Sequence, residues 1–142
     1  MRIAVDAFGT DNCPGPDVGG AVMAARAWED EIYLVGPEDR IRQELAKHDT
    51  QGLNNLHVVH APEILTMEDH AKDVRRKENS SIRVGMRMVK DGEADAFVST
   101  GNTIALLSSA IFDLRRIRGI RRPALATIYP VAFQPVLLLD MG

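Results

Sequence analysis

Short apolar runs alternate along this chain with segments whose apolar residues recur every three or four positions. The runs Ile3–Val5, Ile32–Val35, His57–His60, Ala96–Ser99, Ala124–Tyr129 and Val136–Asp140 each predict a strand. They are rich in Val, Ile and Leu, as expected of strands covered on both faces in a parallel sheet. Between them, Val18, Ala21, Val22, Ala25 and Trp28 keep the spacing of a one-faced helix. Ile41 and Leu45 predict a shorter helix, with Pro37 at its first position, where a missing N–H does no harm. Ile82, Met86 and Val89 form a third stripe, capped by Ser80 or Ser81 and stopped by Asp91-Gly92. Ile104, Leu107, Ile111 and Leu114 form a fourth. Its last turn holds Arg115 and Arg116, where the helix dipole favours cations, and Gly119 breaks it.

This alternation predicts an α/β fold, a mostly parallel sheet with helices on both faces. Ligands of such sheets bind beyond the carboxyl ends of the strands. Chemistry is therefore sought in the turns after Val5, Val35, His60, Ser99 and Asp140. Residues 61–80 form a long irregular connection, and such loops often carry function. The final run, Val136–Gly142, reads as a buried strand that reaches its carboxyl-end turn without a covering helix. That is the expectation for a piece cut from a longer parent.

Composition narrows the function classes. A chain of 142 residues, 45% hydrophobic, can bury one core without covalent staples. Its net charge of −3 argues against bulk electrostatic binding to nucleic acid. Cys13 is the only cysteine, which excludes an intramolecular disulfide and a Cys-based zinc site within one chain. The opening Met1–Asp6 reads as a strand rather than a secretory signal, and no apolar stretch approaches the ~18 residues of a membrane span. A cytoplasmic location is expected. Neither G-x-x-x-x-G-K-[ST] nor G-x-G-x-x-G occurs. His57 and His60 fall on opposite faces of their strand, so a shared metal is not expected. No Ser-His-Asp arrangement can be assigned, and Cys13 reads as a small packed residue rather than a nucleophile.

Three turns remain. In Ser99-Thr100-Gly101-Asn102-Thr103 a strand runs through small polar residues and a glycine into a helix. Free N–H groups at such a helix start make a ready anion site. The same residues also describe an ordinary capped turn. Asp6-Ala7-Phe8-Gly9-Thr10-Asp11 places two carboxylates around a glycine turn, able to hold a cation, orient a hydroxyl or simply cap the backbone. Lys77-Glu78-Asn79-Ser80-Ser81 sets a lysine before two serines at a helix start, suited to phosphate or to capping. Arg83, Arg87 and Lys90 read as a solvated basic face. The run Arg115, Arg116, Arg118, Arg121 and Arg122 suits an acidic partner, an anionic membrane surface or a phosphate.

Taken in order, these elements resemble the phosphate acyltransferases of bacterial phospholipid synthesis, the PlsX family. Asp6-Ala7-Phe8-Gly9-Thr10-Asp11 is similar to that family's D-A-M-G-G-D, with Phe8 for Met and Thr10 for the second Gly. Val59-His60-Ala61, Glu63-Ile64 and Met67 are similar to its V-x-A-x-E-x-I-x-M region. Arg76 to Ser81 resembles its basic-then-Ser-Ser element, and Gly92 to Thr103 its G-x-A-D-A-x-x-S-x-G-N-T. Gly119 to Leu125 and Leu138 to Gly142 resemble the next two blocks.

The resemblance implies the α/β architecture shared with phosphotransacetylases and isocitrate or isopropylmalate dehydrogenases, with residues 1–142 as its N-terminal part and the remaining lobe absent. It implies transfer of a fatty acyl group from acyl carrier protein to inorganic phosphate, giving acyl phosphate for phospholipid synthesis. It further implies a homodimer with peripheral membrane association, and neither metal nor nucleotide cofactor. Ser99, Gly101, Asn102 and Thr103 would grip phosphate, seconded by Lys77 and Ser80, while Asp6 and Asp11 orient them. A short-chain phosphate acyltransferase acting on acetyl- or butyryl-CoA, and a non-catalytic interaction fragment, are the alternatives. The carboxylate and nicotinamide patterns of a dehydrogenase are missing.

Overall fold

The computed structural model describes residues 1–132 and 134–140. Strands β1 (Arg2–Asp6), β2 (Glu31–Gly36), β3 (Leu56–His60) and β4 (Ala96–Val98) form one parallel sheet in the order β3-β2-β1-β4. Ile3 on β1 stands opposite Ile32 on β2 and Ala96 on β4. The chain steps outward from β1 to β3 and then crosses back to add β4 on the other side. The connections leaving β1 and β4 therefore diverge, and the crevice between them is the switch point where sheets of this kind bind ligands.

Helices α1 (Gly15–Ala27) and α2 (Glu38–Leu45) cover one face. Val18, Ala21 and Ala25 of α1 and Ile41 of α2 pack there against Phe8, Ile32 and Leu34. Helices α3 (Ala71–Arg76), α4 (Ser81–Lys90) and α5 (Thr103–Ser109) are associated with the other face, where Ala4, Val35 and Met88 form one cluster and Leu65, Val74, Ile82 and Ala105 another. The fold class read from the sequence is the one observed. Gly92 ends α4 with a φ of 74°, the left-handed conformation that its position after Asp91 predicted.

The differences have local causes. Pro37 stands before α2 as its N-cap, not inside it, with an extended ψ of 108°. Trp28 stops α1 and is exposed. The irregular connection contains α3, which a short, polar segment with Val74 as its buried residue concealed. Arg83 is not solvated; it turns inward. The fourth stripe is inverted. α5 gives way to a π-helical turn, Ala110–Leu114, and the buried positions are Ala105, Ser109 and Asp113 rather than Ile104, Ile111 and Leu114. Small residues let α5 sit close to α3 and α4, and the buried side of the turn carries a carboxylate. Arg83 Nε and Nη2 donate to Asp113 Oδ2 and Oδ1 at 2.9 and 2.8 Å, a two-pronged pair with both side chains largely buried. The Asp113 carboxylate holds the Arg83 guanidinium above its usual pKa.

The last two strands also depart from the reading. β5 (Ala126–Tyr129) and β6 (Val136–Leu139) pair antiparallel in a separate ribbon. β6 is largely exposed rather than a buried parallel strand. The turn expected after it falls on Met141 and Gly142, outside the described residues.

The buried pair yields a test of the fold. Asp113→Ala leaves the Arg83 guanidinium without its partner and should lower stability by roughly 3–5 kcal/mol in urea unfolding. Replacing both residues, as Arg83→Met with Asp113→Leu, should restore most of that loss, because no stranded charge remains.

Candidate functional site

Three connections meet at the carboxyl end of the sheet: Ala7 to Pro14 after β1, Ala61 to His70 after β3, and Ser99 to Asn102 after β4. Asp6, the last residue of β1, is buried beneath them. Its Oδ1 accepts from the Phe8 amide at 3.1 Å and its Oδ2 from the Ser99 hydroxyl at 2.8 Å. The Ser81 hydroxyl faces the same carboxylate. Ser99 Oγ in turn accepts from the Gly101 amide at 3.1 Å. A chain of hydrogen bonds thus runs from the floor of β1 to the glycine of the β4 turn. Burial pushes the Asp6 carboxyl above its ordinary value, although the two hydroxyls and the amide oppose it.

The β1 and β4 turns touch through glycine. A Cβ on Gly9 would lie 2.8 Å from Thr100 Oγ1 and 2.9 Å from the Gly101 nitrogen. Asp17, in the first turn of α1, ties the same turns together. Its Oδ2 accepts from the Thr10 hydroxyl at 2.6 Å and its Oδ1 from the Thr100 hydroxyl at 3.2 Å. Thr10, where the resembled motif has glycine, therefore has a side-chain partner of its own.

Asn102 occupies the N-cap of α5. Its Oδ1 accepts from the Ala105 amide at 3.0 Å, and its Nδ2 donates to the carbonyls of Thr66 and Asp69 at 3.0 and 2.8 Å. Lys77 Nζ donates to the Ile64 carbonyl at 2.9 Å and to Asp69 Oδ2 at 2.7 Å. Partial burial works to raise the Asp69 carboxyl, but Lys77 and the Thr66 amide and hydroxyl outweigh it and hold it below the usual carboxylate range. The polar atoms of Asn102 and Lys77 are thus engaged in pinning the 61–70 loop over the β4 turn. Ser80 is fully buried, and its Oγ has no hydrogen-bond partner among the described residues.

What the site leaves open is backbone. The Thr103 and Ile104 amides have no acceptor among the described residues. A cleft of about 390 Å³ lies nearby, between Phe8, Gly9, Thr10, Asp11 and Cys13 on one side and Ile64 to Glu68 with Asn102 on the other. Asp11 stands exposed at its rim, apart from the buried Asp6 network. Burial pushes the Cys13 thiol up, against thiolate chemistry at neutral pH. A larger hollow of about 670 Å³ between Ala25–Trp28 and Gln51–Asn55 lies away from these turns, at the ends where α1 and the loop before β3 finish.

Asp6, Ser99, Gly101, Asn102 and Thr103, drawn in the sequence from two separate turns, lie as neighbours in the structure. Sequence reasoning missed Asp17 and Asp69. Asp17 was hidden because the α1 stripe was read only from Val18 onward, although an acid in a helix's first turn is itself a signal.

The buried carboxylate makes stability pH-dependent in a defined sense. An acid whose folded pKa is raised contributes its full stability below the unfolded value of 3.8 and loses it as pH rises through the folded value. Asp6→Asn cannot ionise. Across a pH series of urea melts, the difference in stability should therefore move in favour of the Asn variant from acid toward neutral pH. A constant difference contradicts the burial-driven shift.

The family described as "Fatty acid synthesis protein" matches residues 1–142. A phosphate acyltransferase of Herpetosiphon aurantiacus is 54% identical over the whole of this chain, which covers 39% of that relative. Those of Geobacter sulfurreducens and Trichlorobacter lovleyi are 50% and 49% identical, again over the whole chain and 41% of each relative. The chain spans about two-fifths of the length of these relatives. With every turn of the site inside the matched region, the chain belongs to the fatty acid synthesis protein family.

Proposed function

We propose that this chain forms the phosphate-holding part of an enzyme that moves a fatty acyl group from acyl carrier protein to inorganic phosphate. The product is acyl phosphate, the donor for a later acylation in phospholipid synthesis. The observation that carries the reading is the pair of unengaged amides at Thr103 and Ile104, held beside a glycine bend that Asp6, Asp17 and Asn102 lock in place. Family membership and the relatives' name support the reaction class. Residues 1–142 are the N-terminal α/β part of such an enzyme, which works as a homodimer at the inner face of the membrane and needs no cofactor.

The chemistry asks little of acid or base groups. Hydrogen phosphate already carries an ionised oxygen at neutral pH. That oxygen attacks the thioester carbonyl, the C=O electrons collect on oxygen, and their return expels the thiolate. A thiolate is a much weaker base than the alkoxide of an oxygen ester, so it leaves without a dedicated acid. Holding the nucleophile close and aiming donors at developing charge supply the acceleration. The amides of Thr103 and Ile104, beside the Gly101 bend, take the phosphate oxygens. Ser99, Asn102 and Lys77, with Asp6 and Asp17, position the bend and loop around them.

Phosphate titration of the chain, followed by amide resonances, should shift Thr103 and Ile104 first; no shift there overturns the reading. Grafted in place of the matching segment of the Herpetosiphon aurantiacus relative, the chain should support acyl phosphate formation from acyl carrier protein. Preference for acetyl-CoA there would favour the short-chain alternative. In that chimera Gly9→Ala, which drives the two turns apart, should raise the phosphate requirement about tenfold or more while leaving the fold intact. Asn102→Ala should do likewise and also lower stability by about 1 kcal/mol through the lost cap.

A further inference from the structure

The arginine run and the inverted stripe of α5 lie at two ends of one surface. Arg115, Arg116, Arg118, Arg121 and Arg122 fall within eight residues, in a chain whose net charge is −3, and no acidic residue occurs from Leu114 to Leu139. Among the described residues none of the five meets a carboxylate. The loop is shaped rather than extended. Ile120 N donates to the Ile117 carbonyl at 3.0 Å, Arg116 Nη1 donates to the Arg121 carbonyl at 2.6 Å, and Gly119 turns at a φ of 93°. The result is a concavity of about 510 Å³ walled by Arg115, Arg116, Arg118 and Arg121, with Ile117 protruding at 80% exposure. From there Leu114, Ile111 and Ile104 lead, exposed, back to the Gly101 bend. α5 and the π-helical turn together run roughly 18 Å at the usual helical rise.

We propose that the arginine loop docks an acidic carrier protein, and that the Leu114–Ile111–Ile104 stripe guides the carrier's acyl-bearing arm to the phosphate bend. This rests on the acyl-transfer reading above. Charge complementarity selects an acidic partner, and guanidinium forks suit carboxylates and a phosphodiester in fixed geometry. A protein is favoured over a lipid surface because the loop carries no aromatic anchor and no continuous amphipathic helix, the features that seat a segment in a bilayer interface. The span of the stripe calls for a thioester on an extended arm rather than a short free substrate.

The test titrates the chain with acyl carrier protein, palmitoylated and unloaded, at low and high salt. The triple variant R118Q/R121Q/R122Q should weaken both forms about tenfold and flatten the salt dependence. Ile111→Ser should erase only the advantage of the palmitoylated form. Unchanged affinity in the triple variant overturns the proposal. So does binding to phosphatidylglycerol vesicles in place of the carrier, or an arginine-dependent dimer of the chain in sedimentation. In the chimera, acyl phosphate formation with a carrier KM indifferent to the three arginines sinks the docking surface and leaves the reaction standing. Arginine-dependent carrier binding without acyl phosphate sinks the reaction and leaves the docking surface standing.

Discussion

The turn after the first strand and the turn after the fourth share one space because neither carries a side chain where they meet. Gly9 and Gly101 approach within van der Waals contact, the Cα of Gly9 lying 3.3 Å from where a Gly101 Cβ would stand. Everything else at the carboxyl end of the sheet is arranged around that contact. Asp6 braces it from below through Ser99, Asp17 bridges it through two threonine hydroxyls, and Asn102 fixes it to the loop after β3. The switch in strand order explains why these particular turns are neighbours, since β1 and β4 are adjacent in the sheet while their connections leave in opposite directions.

The loop after β3 is held by polar contacts more than by apolar burial. Leu65 and Val74 enter the core, but its shape follows from the Lys77–Asp69 pair and from Lys77 and Asn102 together donating to the carbonyls of Ile64, Thr66, Met67 and Asp69. Lys77 and Asn102 each look, in sequence, like a group free to meet a ligand. Their engagement leaves main-chain amides rather than side chains as the open donors of the site, a donor type suited to the phosphate proposed above.

Much of the sheet was readable from apolar runs and punctuation, because a doubly covered parallel strand has little choice but to be Val- and Ile-rich. The readings that failed share a cause. Ile104, Ile111 and Leu114 keep helical spacing, yet Ala105, Ser109 and Asp113 face inward, because close approach to α3 and α4 and a partner for Arg83 decide the orientation. Local periodicity carries no information about that partner, thirty residues away. β6 looked like a core strand since Leu-rich runs have the same appearance whether or not anything covers them. Asp17 and Asp69 escaped notice because their roles are set by tertiary neighbours rather than by spacing.

The β5–β6 ribbon has only four residue pairs in register, Ala126–Leu139 through Tyr129–Val136, and its strands lie mostly open to solvent. A lone pair of strands is marginal in water. Opening of this ribbon needs far less free energy than opening of the four-stranded sheet, so amide protons there should exchange, and peptide bonds there should be cut, by way of local openings that leave the Gly101 bend intact.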